Sequence, residues 1–271
     1  MDYRDSVDLS DSRTQRASGG GGGGRMALGG GVGGLVLMLL VVFVGPRFGI
    51  NVSDLLGSSS GQDTQPVVQG SDLDHCKQKD VNVNTNRECR WLLYEKVLQD
   101  YWSKTKPNYR YATVKLFSGT ISTACGVGQT EMGPFYCSGD STVYIDDSYV
   151  GQLLKQLGAS GGDAAELYIV AHEFGHHIQN LDGTMRKVTR GTGADSAQVR
   201  LELQADCYAG VVFNQVMKDS NSPIRAVSKD DLLRIADAAR SVGDDHIQKQ
   251  QGGFVNPESW THGSSEQRQR W

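Results

Sequence analysis

Residues 170–180 read VAHEFGHHIQN, and this stretch limits the possible folds more than any other. On an α-helix, positions i and i+4 share a face, so His172 and His176 can aim ring nitrogens at one point. The flanks agree with a helix. Asp163 stands three residues before Glu166, as in a capping box, and Gly183 follows as a stop, which predicts a helix over 163–180. Two imidazoles so placed can bind one zinc ion, each about 2.0 to 2.1 Å from it. Glu173 sits beside the first histidine and three residues before the second. Its carboxylate can reach a water on the open side of the metal. Zinc lowers that water's pKa toward neutrality, and Glu173 can take the proton and pass it to a leaving amine. A purely structural zinc site has no need of that glutamate. Three fixed residues recur by chance in roughly one chain in a hundred, so the rest of the site must come from elsewhere in the sequence.

A catalytic zinc needs a third protein ligand. In the metzincin pattern a glycine and a third histidine would follow at positions 179 and 182, which here hold Gln179 and Asp182. The better source is RLELQADCYAG, within a second helix predicted over 198–218. Glu202 and Asp206 are four apart and share one face of it. Glu202 is the candidate third ligand. Asp206 would accept the second ring N–H of a ligand histidine and so fix its tautomer. The spacing also permits the two acids to exchange roles. Their neighbours Leu201, Leu203, Ala205, Cys207, Ala209 and Gly210 are apolar or small. That argues against a solvated face, and a buried acid needs a partner or a metal. His177 cannot easily share the metal face and reads as an outer polar group or a surface residue. His262, in WTHGSSEQR, has two readings of equal weight. It either stabilises an oxyanion, with Ser264 and Ser265 orienting substrate, or belongs to an exposed tail.

The remaining chain supplies a scaffold. CRWLLYEKVLQDYW (89–102) places Trp91, Tyr94, Leu98 and Tyr101 at helical spacing, a core-facing stripe. YATVKLF (111–117) and TVYID (142–146) read as strands. A third helix opens at Ser228, boxed by Asp231. Strands followed by helices predict an α+β domain over 75–271. Five cysteines suit an exported domain: Cys76 and Cys89 lie close in sequence, as do Cys125 and Cys137, with Cys207 left over. Pairing within each couple is expected, although sequence alone fixes no connectivity.

The N-terminal third differs. Residues 1–25 are polar and glycine-rich and read as a disordered cytoplasmic segment. Residues 26–45 carry no charge. At about 1.5 Å per residue they span a hydrocarbon core of about 30 Å as a transmembrane helix. No small-residue cleavage site follows, so an uncleaved anchor is favoured over a signal peptide. Arg13, Arg16 and Arg25 precede the segment and only Arg47 closely follows it. This predicts a single-pass cell-membrane protein with a cytoplasmic N-terminus and an extracytoplasmic domain, joined by a linker over 46–74. The net charge of −4 offers no concentrated basic face, which excludes nucleic acid as the expected partner.

HEFGH followed by ELQAD resembles the gluzincin arrangement, HExxH with ExxxD. More narrowly, LFSGTISTACGVG, GPFYC, VYIDDSY, HEFGHHIQ, ELQADCYAG and SWTHGSSEQRQRW make the chain similar to the bacterial family of membrane-anchored neutral zinc metallopeptidases. The resemblance covers most of residues 110–271. It implies a zincin-like fold, a zinc cofactor, hydrolysis of peptide or protein substrates, and Glu202 as the third ligand. It also implies an edge strand over the metal helix, for which TVYIDD (142–147) is the candidate, placed to pair with an extended peptide. Two rivals stand beside this reading: a zinc-stabilised binding module without turnover, and a zinc hydrolase of a non-peptide amide.

Overall fold

The computed structural model describes residues 1–17, 73–189 and 191–271. Its spine is a helix α3 (Asp163–Leu181) that runs through the core. It packs against α5 (Ala197–Val216), α6 (Lys229–Ser241) and α1 (Arg90–Thr105). The aromatic stripe of α1 faces inward as its spacing predicts, with Trp91, Tyr94 and Leu98 buried. Each such side chain contributes about 1.5 to 3 kcal/mol by leaving water.

A four-stranded sheet covers another side of α3. Its order is β2 (Thr14–Arg16), β3 (Thr113–Leu116), β7 (Thr142–Ile145), β6 (Phe135–Cys137). β2, β3 and β7 run parallel, with Thr113 opposite Thr142 and Leu116 opposite Ile145. β6 is antiparallel to β7, with Phe135 opposite Tyr144. The hairpin of β4 (Thr120–Thr123) and β5 (Gly126–Gln129) and the pair of β1 (Asp2–Tyr3) with β8 (Ile224–Ala226) complete the strands described. Short helices α2 (Val150–Gln156), α4 (Thr184–Lys187), α7 (Asp244–Gly252) and α8 (Ser265–Arg270) close the periphery. The architecture is therefore mixed α+β. Disulfides join Cys76 to Cys89 and Cys125 to Cys137, and Cys207 is free.

Several expectations are corrected. The strand over 142–147 is not an edge: β3 and β7 pair along its whole length, and β6 takes the other side. The edge beside α3 is β6, whose three residues are too short to announce a strand by pattern. The capping box at Asp163 does not form. Asp163 instead receives Arg90 Nη1 at 2.7 Å, and Glu166 is paired with Arg87, so distant cations take both carboxylates from the helix end. The boxed start at Ser228 does form, with Asp231 Oδ2 accepting from Ser228 N at 2.8 Å.

The N-terminal reading changes most. Residues 1–17 are not an irregular tail. Tyr3, Val7 and Leu9 are buried in the main core, and Thr14 lies opposite Val114 of β3. Three apolar residues so spaced make no helical or strand period, and the partners that order them lie far along the chain. The expected N-terminal transmembrane helix is corrected as well. Among the described residues no helix is long and apolar enough to cross a membrane, and residues 26–45 lie outside the described residues. The single-pass topology has a geometric objection too. Residues on both sides of that segment share one core, whereas one crossing would put the N-terminus and the domain on opposite faces of a bilayer.

Candidate metal centre and its cavity

The centre begins with a contact between two backbones. Gly175 of α3 faces Ala205 of α5, and a methyl group at position 175 would lie 2.8 Å from Ala205 Cα and 3.0 Å from its carbonyl oxygen. Only a residue without a side chain permits that approach. It brings His172 and His176 on one helix opposite Glu202 and Asp206 on the other.

Three candidate ligand atoms converge there. His172 Nε2 and His176 Nε2 are 3.1 Å apart, and Glu202 Oε2 lies 3.2 Å from the first and 3.4 Å from the second. Donors arranged tetrahedrally at about 2.0 to 2.1 Å from a zinc ion would stand about 3.3 Å from one another. The residues therefore fit zinc in both chemistry and spacing. All three are buried. A second grouping, His75 with Cys76 and Cys89, fits poorly, because both sulfurs are committed to a disulfide and offer no thiolate.

Each ligand has its own support. His172 Nδ1 lies 2.7 Å from Asp206 Oδ1, so the two acids have distinct positions: Glu202 touches both Nε2 atoms, and Asp206 takes the far nitrogen of His172. Asp206 also accepts from Tyr168 Oη at 2.6 Å and from Arg268 Nε and Nη2, each at 2.9 Å. Burial alone would raise the Asp206 pKa, but Arg268 and His172 outweigh it and hold the carboxyl below its ordinary range. Burial opposes charge on His172, yet Asp206 and Glu202 push its pKa up to about 10. A site this rich in carboxylate demands a cation, either protons or a metal. His176 Nδ1 meets Gln179 Oε1 at 2.9 Å. The Gln179 amide is oriented because its Nε2 donates to Leu201 O at 2.6 Å. Glu202 Oε1 accepts from Gln198 Nε2 at 3.2 Å.

Glu173 is buried and lines the adjoining cavity, whose volume is about 120 Å³. Burial raises its pKa. His262 faces the same cavity. It does not lie in a free tail. Asp244 Oδ2 gathers the backbone N–H groups of Thr261, His262 and Gly263 at 2.8, 2.7 and 2.9 Å, and Asp244 Oδ1 lies 3.2 Å from His262 Nδ1. That leaves Nε2 for the cavity. Ser264 and Ser265 are occupied otherwise: Ser264 caps α8, and Ser265 binds Asp245 and the Arg240 carbonyl. His177 is fully buried and bonds away from the metal cluster, to Tyr136 and the Arg110 carbonyl.

Sequence reasoning did not find Arg268, Tyr168, Gln179 or Asp244. Gln179 carried the only available signal, since its spacing from His176 places it within reach of Nδ1. Arg268 stands in a polar run with Arg270, and nothing in the pattern marks one of the two as buried.

The model of a family described as "Putative neutral zinc metallopeptidase" matches residues 1–271. Rv2575 of Mycobacterium tuberculosis is 40% identical over 231 residues, covering 82% of this chain and 78% of its own. YpfJ of Escherichia coli K12 is 37% identical over 246 residues, covering 86% and 79%. Both are described as uncharacterized proteins. No solved structure matches. With a match that runs the whole length of the chain and an HExxH helix facing a buried glutamate, the protein belongs to this neutral zinc metallopeptidase family.

Proposed function

We propose that the chain is a zinc metallopeptidase that hydrolyses peptide bonds in peptide or protein substrates. The observation that carries the reading is the convergence of His172, His176 and Glu202 within 3.4 Å beside the buried carboxylate of Glu173. These three residues would hold zinc, which when bound lowers the pKa of a coordinated water and polarises a carbonyl oxygen. Glu173 would take a proton from the attacking water and give it to the leaving amine. Asp206, fixed by Arg268 and Tyr168, keeps the His172 Nδ1 proton in place, so that Nε2 presents its lone pair. His262, aimed by Asp244 through Nδ1, would donate from Nε2 to the oxygen that becomes negative in the transition state when its ring carries a proton on both nitrogens.

The cavity walls suit an apolar substrate side chain. Met132, Leu153, Leu157, Met185, Leu201 and Ile247 line it together with the polar groups named above. An extended peptide finds its strand partner in β6.

The test compares the zinc-loaded chain with its Glu173→Gln form on a mixed peptide library. The expected outcome is equal zinc content and a loss of turnover of at least about 10²-fold in the variant, the usual weight of a general base. Cleavage by both forms would show that Glu173 is not the base. Bound zinc without cleavage by either form would favour the binding-module reading, or a non-peptide amide as substrate.

A further inference from the structure

We infer that His177 is a positioning residue, which through Tyr136 fixes the edge strand β6, and so the substrate-facing wall of the cavity, against the metal-binding helix. The inference rests on the peptidase reading and adds a part that the metal chemistry does not require.

β6 needs such an anchor toward α3, because the Cys125–Cys137 disulfide ties its end to the turn between β4 and β5 and not to the helix. It is three residues long and pairs on one side only, with β7. Short strands at a sheet edge are the first to open. Yet the chain from Gly133 to Tyr136 lines the cavity, so its position sets the shape that a substrate meets.

The anchor is a closed run of hydrogen bonds. The Arg110 carbonyl can only accept, so His177 Nε2, 2.7 Å away, carries the ring proton. His177 Nδ1 is then an acceptor, and the Tyr136 hydroxyl, 3.0 Å away, donates to it. The Tyr136 oxygen in turn accepts from Asn180 Nδ2 at 2.9 Å, and the same amide reaches the Ser138 carbonyl at 3.3 Å. Every donor has an acceptor, and His177 is wholly buried. The rings of Tyr109 and Tyr136 meet the imidazole edge-on at 5.7 and 5.4 Å, which leaves it little freedom to turn. His177 and Asn180 both lie on α3, one turn apart, and both grip the strand beside them. The helix that carries the metal histidines therefore also carries the strand's fasteners.

The test uses the full zinc-loaded chain and two substrates: a peptide of about eight residues that can run along β6, and a blocked dipeptide amide too short to do so. His177→Gln keeps a donor for the Arg110 carbonyl and loses the acceptor for Tyr136. His177→Asn keeps an acceptor near the place of Nδ1. Tyr136→Phe removes the hydroxyl alone. For His177→Gln and Tyr136→Phe, the ratio of kcat/KM on the long substrate to that on the short one should fall about tenfold at equal zinc content, mainly through KM. His177→Asn should restore the ratio to within about threefold, because the hydrogen bond from Tyr136 is regained. Equal losses on both substrates, or an unchanged ratio in every variant, would overturn the inference. If His177→Gln fails to fold, Tyr136→Phe decides the matter by itself. If the unmodified chain cuts neither substrate, the peptidase reading fails first and takes the inference with it.

Discussion

Asp244 shows how much one carboxylate can organise. Three successive backbone N–H groups and an imidazole converge on it, so residues 261–263 are wrapped around a single half-buried anion. Burial acts to raise its pKa, but His262 and those N–H groups outweigh burial and hold it below the ordinary 3.8. A carboxyl group with a lower pKa in the folded state binds fewer protons there than in the unfolded chain. Its contribution to stability is thus complete above pH 3.8 and is lost as pH falls through the lower folded value. Asp244→Asn should cost about 1 to 3 kcal/mol at neutral pH and flatten the acid limb of the stability profile. Denaturant titrations from about pH 2 to 6 would measure this. An unchanged acid limb would mean that other carboxylates govern it. At this scale the sequence was most legible where chemistry imposes a spacing. His172, Glu173 and His176 stand out through the helical repeat, and Glu202 and Asp206 through theirs. Arg268, Tyr168 and Asp244 were not legible, because their partners lie 62, 38 and 18 residues away. No local rule encodes a contact of that kind.

Between elements, the decisive feature is the crossing of α3 and α5 at Gly175. A glycine inside a helix costs about 1 kcal/mol relative to alanine, so its presence in HEFGH calls for a reason outside the helix. The reason is Ala205, whose Cα would lie 2.8 Å from a methyl group at position 175. Gly175→Val should force the helices apart and carry Glu202 away from the two histidines. We expect loss of stoichiometric zinc binding, by chelator competition, together with a destabilisation of at least about 1 to 3 kcal/mol from overpacking. A variant that still bound zinc with unchanged affinity would show that the crossing has slack. Helices were readable as elements because their apolar periods and most of their ends are local properties. The sheet was not, since strand order depends on pairing. TVYID read correctly as a strand, but TVYIDD, which the family resemblance made the candidate edge, proved central, while β6 carried no pattern long enough to be noticed.

For the whole molecule, the informative residues are the first seventeen. Read alone they form a polar segment, and the apolar run of 26–45 invites a membrane between them and the domain expected over 75–271. In the fold, Leu9 is fully buried among residues of the main core, Leu9 N donates to the Gln78 carbonyl at 3.1 Å, and Ser12 Oγ donates to Glu95 at 2.7 Å. β2 extends the same sheet whose far edge borders the cavity. The N-terminal segment and the domain over 73–271 therefore share one core and one sheet. Leu9→Ala tests this directly. A buried leucine reduced to alanine loses its transfer energy and leaves a cavity, which costs about 2 to 5 kcal/mol. Urea unfolding of the full chain should show that loss in a single transition, with its slope unchanged. If residues 1–17 lie apart from the domain, the midpoint will not move, because a leucine already in water forfeits almost nothing on truncation. A shifted midpoint would place both ends of the apolar run on one side of any bilayer.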